Sequence, residues 1–488
     1  MDAALRSALT RQRPLSGRTL FMKKASQSTS RRKVISGIGA GALAATTGFG
    51  HAGAVAPARP NILFVMADQE QAPQYLTGLN RPNHARLMKN GLTFRHMYAA
   101  DPVCSPSRGA IFTGLYPWET GVIGNVDIYQ NGPPLDPKYP TFGSVLAKNG
   151  YRTGYFGKWH LSWLVEDPIM VPADYNGDRR DQLKEYGFET SFIPTDSDDR
   201  PLGKRWDGEI ARQASAWIRE AQALGQPWLA VVSLINPHDI PFGALYLDRK
   251  MPDYPVTLPK SWNQNMMGPS VPPELRRAPL KGGPKRFPGA FGIPPQTEAE
   301  WREYIRRYYY LLEDCDQHIG AVLDTLESNG ALDNTIIVYT ADHGEMAAAH
   351  GLVAKGVMYE ESVTVPLIIS NPQLYKSAQT TDMLSSNIDL APTIAACAGV
   401  HWPSPLRGVD LLRGKRAAAY SVAGMSTDLA GLVKMVRTRD WKLIVYPSGA
   451  IQLFDMSKDP DEMNNRANDP SLKNIVSEHR ALIAKEIV

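Results

Sequence analysis

Four short apolar runs along the chain end in polar residues able to bind metals or anions. Ile62–Met66 leads into Asp68 and Gln69, and Thr153–Phe156 into Lys158, Trp159 and His160. Leu229–Ile235 leads into Asn236, Pro237 and His238, and Thr335–Thr340 into Asp342 and His343. Between such runs stand stretches of helical period. The longest covers 297–327, where Tyr308, Leu312, Cys315, Ile319, Val322 and Leu326 share one face. Strands alternating with helices predict an α/β chain whose large, mostly parallel sheet is sandwiched by helices. Ligands of such sheets bind beyond the carboxyl ends of the strands. The four runs therefore converge on one candidate site.

After about residue 411 the pattern becomes short β runs: Ala418–Val422, Leu432–Arg437, Lys442–Tyr446 and Ile451–Phe454. This predicts a small C-terminal α+β subdomain over 411–488 with an antiparallel sheet, after a main domain over 58–410. Residues 240–296 are too broken by Pro and Gly for regular elements and read as an ordered surface loop near the ligand edge. Trp262, Arg276 and Arg277 in this insertion are candidates to line a pocket there. The first 54 residues read as a leader. Arg31 and Arg32 precede a weakly apolar Gly/Ala-rich stretch, and Ala52-Gly53-Ala54 offers a small-residue cleavage site. That pattern is a twin-arginine export signal, which implies a periplasmic or secreted protein. Residues 1–21 add nothing such a signal needs, which makes Met22 an alternative start. The stretch is too short and glycine-diluted for a stable membrane span.

Composition narrows the classes further. The 488 residues are 43% hydrophobic and 21% charged, which excludes a disordered chain and a multi-span membrane protein. The net charge of +4 is local to the leader, where nine Lys/Arg face one acid; the remainder carries net −4. Bulk charge thus gives no support for a nucleic-acid partner. Three cysteines exclude a disulfide scaffold. Cys315 and Cys397 fall on apolar faces, where they read as inert core thiols.

Cys104 is different. It opens the segment Cys104-Ser105-Pro106-Ser107-Arg108-Gly109. A thiolate in an anion cradle closed by an arginine is one reading, but the spacing is shorter than cysteine-phosphatase loops use. The segment resembles the C-x-P-S-R-G signature of type I sulfatases. Further blocks continue that likeness: Gly150–Leu161, Asn236–Asp239, Ala341–Gly344, Lys355-Gly356, Tyr359–Ser362, Val365–Ile368 and Leu453–Asp455. The resemblance spans nearly all of residues 60–465 and implies an alkaline phosphatase-like fold. It also implies that Cys104 is oxidised to Cα-formylglycine by a formylglycine-generating or anaerobic sulfatase-maturing enzyme. One hydroxyl of the hydrated aldehyde would attack the sulfur of a sulfate ester; the second would later expel sulfate.

The same resemblance assigns the surrounding residues. Arg108 matches the arginine that holds the formylglycine, and Lys158 and Lys355 match lysines that contact sulfate. His160 is a candidate base for the elimination step, His238 a candidate general acid, and Asn125 a further sulfate contact. A divalent metal is implied, with Asp68, Gln69, Asp342, His343 and modified Cys104 as its candidate ligands. The carboxylates suit Ca2+ first. Gln69 and His343 stand where many sulfatases carry Asp and Asn, which also admits Mn2+ or Mg2+. Two rivals follow from the same residues: a phosphonate monoester or phosphodiester hydrolase, disfavoured by the Lys158–His160 block, and an inactive binder of sulfated glycans should Cys104 stay unmodified. His84, His96, His318, His350 and His401 read as structural.

Overall fold

β1 (Asn61–Asp68) is apolar along almost its whole length because both of its faces are covered. A computed structural model of the chain describes residues 59–487 apart from 127–131, 163–182, 195–201, 241–250, 263–294, 296, 404–405, 425 and 427. The leader, Arg276 and Arg277 lie outside the described residues, as does most of the insertion. Ile62, Phe64 and Met66 of β1 point into one apolar cluster, which also holds Ile111, Phe112, Phe142 and Ile394. Leu63 and Val65 point into the other, with Ile218, Ile319 and Val322 from the helices Leu202–Ala223 and Glu298–Ser328. Alternation with period 2 thus builds two cores, one on each side of the sheet.

The sheet has eight strands. The others are β2 (Gly91–Tyr98), β3 (Arg152–Gly157), β4 (Thr190–Phe192), β5 (Trp228–Pro237), β6 (Thr335–Ala341), β7 (Thr364–Ser370) and β8 (Gln379–Ser386). Their order is β4-β3-β5-β1-β6-β7-β2-β8. All pairings are parallel except the two made by β7, which runs against β6 and β2. The four apolar runs of the sequence are β3, β5, β1 and β6, four consecutive neighbours. Their carboxyl ends share one edge, as the pattern predicted.

The long helix runs over Glu298–Ser328, with Thr297 and Glu300 forming a capping box at its start. Tyr308, Leu312, Cys315, Ile319, Val322 and Leu326 are all buried. Its first turns carry Trp301, Tyr304 and Tyr309. These pack with Tyr254 and the half-buried Trp262 of the insertion and with Ala347 and Ala348. The described part of the insertion, 251–262, holds no helix or strand.

The C-terminal runs form β9 (Ala419–Ala423), β10 (Val433–Arg437), β11 (Trp441–Val445) and β12 (Ile451–Asp455), a separate antiparallel sheet. The helix Lys473–Glu486 follows. The described residues belong to one compact unit. A buried charge cluster helps to join the two sheets. Lys442 of β11 donates to Glu360 at 3.0 Å and pairs with Glu462 at 2.8 Å, and Glu360 also accepts from Tyr98 of β2 at 2.8 Å. Buried charges persist only when each finds such partners.

Candidate active site

Six segments meet at the carboxyl edge of the large sheet. β1 ends on Asp68, β6 runs into Asp342 and His343, β3 into Lys158, and β5 into His238. The segment after β2 enters the helix Cys104–Thr113, and the segment before antiparallel β7 carries Lys355. Two glycines allow the close approaches. A Cβ on Gly157, whose φ is +114°, would lie 1.9 Å from the Ser233 carbonyl oxygen of β5, and one on Gly344 would lie 2.0 Å from that of Glu361. Gln69 and His160 take left-handed backbone angles (φ 73° and 57°) just beyond their strands. Non-glycine residues in that region are uncommon and gather at functional sites.

Cys104 is the first residue of its helix and fully buried. Pro106 is tolerated there because first-turn amides have no intrahelical acceptor. The thiol sulfur lies 3.3 Å from Lys355 Nζ, 3.8 Å from Lys158 Nζ, 3.2 Å from His343 Nε2 and 3.7 Å from Asp68 Oδ1. Burial and the Asp68 carboxylate push this thiol up. Lys158, Lys355 and His343 overcome both and hold it well below the usual thiol range. Sγ marks the place from which any oxygen nucleophile made from this residue would project.

Arg108, one turn along the same helix, is buried and bridges two carboxylates. Its Nη2 donates to Asp68 Oδ2 at 2.9 Å and its Nε to Asp342 Oδ2 at 2.8 Å. Nη1 donates to the Lys158 carbonyl at 2.6 Å and to Ser233 Oγ at 3.0 Å. Lys158 Nζ reaches Asp68 Oδ2 at 2.6 Å. Burial opposes ionisation of Asp68, yet Lys158, His238, Arg108 and Lys355 keep its carboxyl well below the ordinary range. For Asp342, burial and the facing Asp68 charge win, and its carboxyl is pushed up.

The remaining predicted residues gather around this centre by different routes. Lys355 Nζ donates to Gln69 Oε1 at 2.6 Å, so the Gln69 amide meets the thiol through the lysine. Asn125 Oδ1 accepts from the Ser105 amide at 3.1 Å, beside Cys104 in the helix's first turn. His160 is placed through its carbonyl, which accepts from Ser105 Oγ at 2.6 Å. His238 has 28% of its side chain exposed. Desolvation, then the charges of Lys158 and Lys355, lower its imidazole from the ordinary range. His84 and His350 are both buried. His84 is clamped to Asp316 at 2.6 Å, and His350 stacks on Tyr359 with ring centroids 3.8 Å apart.

Sequence reasoning missed the braces. Ser107 Oγ donates to the Asp342 carbonyl and accepts from Asn387 Nδ2 at 2.7 Å. Tyr308, read only as helix packing, donates to the Gln69 carbonyl at 2.7 Å and accepts from the Gln71 amide at 2.9 Å. Glu345 is buried and holds Gln69 Nε2. Only Glu345 carried a signal: it lies three residues beyond Asp342 in Asp342-His343-Gly344-Glu345.

Comparisons with known proteins agree on one family. A model of the sulfatase family matches residues 60–400, and one described as N-sulphoglucosamine sulphohydrolase, C-terminal, matches 348–487. The chain is 28% identical over 480 residues to the N-acetylglucosamine-6-O-sulfatase of Bacteroides thetaiotaomicron, covering 83% of this chain and 82% of that one. It is 30% identical over 455 residues to the uncharacterized sulfatase YidJ of Escherichia coli, covering 87% and 86%. Among solved structures, a complex with the substrate D-glucosamine-2-N,6-O-disulfate superposes with TM-score 0.68 at 24% identity, covering 88% of this chain and 97% of that one. The phosphonate monoester hydrolase of Agrobacterium radiobacter shares the fold at TM-score 0.65 and 20% identity, covering 88% and 95%. With its family model matched over most of the sequence and relatives aligned along its length, this chain belongs to the sulfatase family and is a sulfuric ester hydrolase.

Proposed function

We propose that Cys104, after conversion to Cα-formylglycine, is the nucleophile of this hydrolase, acting beside one divalent cation on a sulfated carbohydrate. The observation that carries the reading is the convergence on Cys104 Sγ of two lysines, an imidazole and a carboxylate, each within 3.8 Å.

The donors present fit a divalent cation. One ligand atom from each of Asp68, Cys104, Asp342 and His343 lies within 4.8 Å of the other three, and all four residues are buried. Arg108 occupies Oδ2 of both aspartates. Oδ1 of Asp68 lies 3.8 Å from His343 Nε2, and Oδ1 of Asp342, which accepts the Gln69 and His343 amides at 3.1 and 3.0 Å, lies 3.6 Å from it. Two carboxylate oxygens with one imidazole suit Ca2+ first and admit Mn2+ or Mg2+. Gln69 adjoins them, with its side-chain oxygen facing Lys355 Nζ at 2.6 Å. The hydrated aldehyde would supply a hydroxyl nucleophile with a built-in exit, and the cation would polarise the sulfate and lower the hydroxyl pKa.

The chain's own residues do the rest. Lys158 and Lys355 flank Cys104 and offer fixed positive charge to the sulfate oxygens, where negative charge grows as the S–O bond breaks. Asn125 stands ready as a further sulfate contact and Arg108 holds the nucleophile's surroundings rigid. Burial and the charges of Lys158 and Lys355 lower the pKa of His238. The incoming anion raises that pKa and favours the protonated form needed to donate to the leaving alcohol. His160 serves as the base that returns the site to its starting state.

Carbohydrate is the favoured alcohol because of the names borne by relatives and neighbours: an N-acetylglucosamine-6-O-sulfatase, an ulvan-active sulfatase of Formosa agariphila and a complex with a glucosamine disulfate. Export by a twin-arginine route and maturation by a dedicated cysteine-oxidising enzyme complete the proposal. Among the described residues no helix is long and apolar enough to cross a membrane. The test is the release of inorganic sulfate from sulfated monosaccharides by the matured enzyme and by Cys104→Ala. Turnover is expected from the first and none from the second, with the fold unchanged. Turnover by Cys104→Ala overturns the nucleophile assignment.

A further inference from the structure

Glu345 is fully buried, and each hydrogen bond described at its carboxylate is one it accepts. Oε1 takes the Tyr304 hydroxyl at 2.9 Å and the amides of Ala347 and Ala354 at 3.1 and 2.6 Å. Oε2 takes Gln69 Nε2 at 2.5 Å. On its other side the Gln69 amide offers Oε1 to Lys355 Nζ at 2.6 Å. An ammonium can only donate, so the amide oxygen must face the lysine and its NH2 the carboxylate. The orientation of Gln69 is therefore fixed from both ends.

The loop between Glu345 and Lys355 is strained. Ala347, Ala348, His350 and Ala354 all have left-handed backbone angles, with φ of 40°, 79°, 53° and 65°. Such conformations persist only where the surroundings hold them. Glu345 Oε1 receives the amides of the first and the last of these four, and Lys355 follows immediately.

We infer that Glu345 is a positioning residue for sulfate recognition. Its carboxylate pins the 347–354 loop and turns the Gln69 carbonyl toward Lys355, so that the ammonium is held beside Cys104. The inference rests on the reading of Lys355 as a sulfate-contacting cation.

Glu345→Gln supplies the test because it keeps size and removes one acceptor. The new amide can still accept at the Oε1 position, but it then presents NH2 to the NH2 of Gln69. Should Gln69 turn over, its NH2 meets the ammonium instead, so one donor–donor clash remains either way. The expected result is a fall in kcat/KM on an aryl sulfate of about 10- to 100-fold. Competitive inhibition by inorganic sulfate should weaken in parallel. A role in fold stability alone would lower Tm and leave the sulfate inhibition constant of the folded enzyme untouched. The reciprocal pair Q69E/E345Q restores every donor–acceptor match, since the carboxylate at 69 accepts from both neighbours. It should regain roughly tenfold or more over E345Q.

Unchanged sulfate inhibition and kcat/KM in E345Q, or no recovery in the pair, overturns the inference. If E345Q fails to fold, the comparison of Q69E with Q69E/E345Q decides in the same way. Lys355→Ala separates the two levels. Loss of sulfate inhibition in K355A with none in E345Q removes the role of Glu345 alone, whereas full inhibition in K355A removes the reading of Lys355 beneath it.

Discussion

Arg108 engages one oxygen of Asp342 and leaves the other facing the reaction centre: Nε donates to Oδ2 at 2.8 Å, while Oδ1 stands 3.6 Å from His343 Nε2. The same guanidinium treats Asp68 alike, so a single planar cation spaces two buried carboxylates whose mutual repulsion would otherwise drive them apart. Lysine could reproduce the charge but not the fork.

Arg108→Lys is therefore expected to cost activity more than folding, with kcat/KM falling about 100-fold or more through lost preorganisation. Arg108→Ala leaves two buried carboxylates without their cation and should destabilise the fold by roughly 3–5 kcal/mol. Urea unfolding paired with steady-state kinetics on both variants checks the two effects.

Removal of divalent cations should abolish turnover and lower the melting temperature, because an ion bound only by the folded state stabilises it by mass action. Re-addition of Ca2+ or Mn2+ to the chelated enzyme should restore both. Full turnover in the presence of chelator would contradict a metal role for Asp68, Asp342 and His343.

Phosphoryl substrates offer a control on the chemistry. Parallel kcat/KM values for an aryl sulfate and an aryl phosphonate should favour the sulfate. A phosphonate preference of orders of magnitude would mean that the cationic centre is tuned to the chemistry of its structural neighbour from Agrobacterium radiobacter.

His350 supplies a pH prediction independent of catalysis. Burial, aided by Lys442, pushes its imidazole down to about 3, whereas in the unfolded chain it titrates in the ordinary histidine range. The folded state thus needs the neutral ring. The associated stability is fully present above pH ~6.5 and is lost as pH falls toward 3, at about 1.4 kcal/mol per unit. His350→Asn, a side chain that tolerates the left-handed φ, should flatten the stability–pH slope between pH ~6 and ~4 by one proton. Equilibrium unfolding across that range measures it.

The sheet was legible because its central strands are buried on both faces and so are written as unbroken apolar runs, and because the residue after each run sits at a common edge. The candidate site residues Asp68, Lys158, His238 and Asp342 were legible for the same reason, as strand-end positions. The braces were not. Gln69 and Lys355 were named from the sequence, but nothing local to Gln69 announces the Glu345 carboxylate 276 residues away that joins them in one hydrogen-bonded chain. Tyr308 lies on the apolar face of its helix, and periodicity reports the ring rather than the hydroxyl that holds Gln69. Lys442 and Glu360 stand 82 residues apart, and only the packing of the small sheet against the large one brings them together and buries them.

Mass spectrometry of the tryptic peptide His96–Arg108, taken from active enzyme, bears most directly on the nature of residue 104. The expected spectrum contains this peptide with an aldehyde or its hydrate in place of the thiol, in a fraction that tracks specific activity from one preparation to the next. A fully active preparation whose peptide carries only the unmodified cysteine would contradict the account.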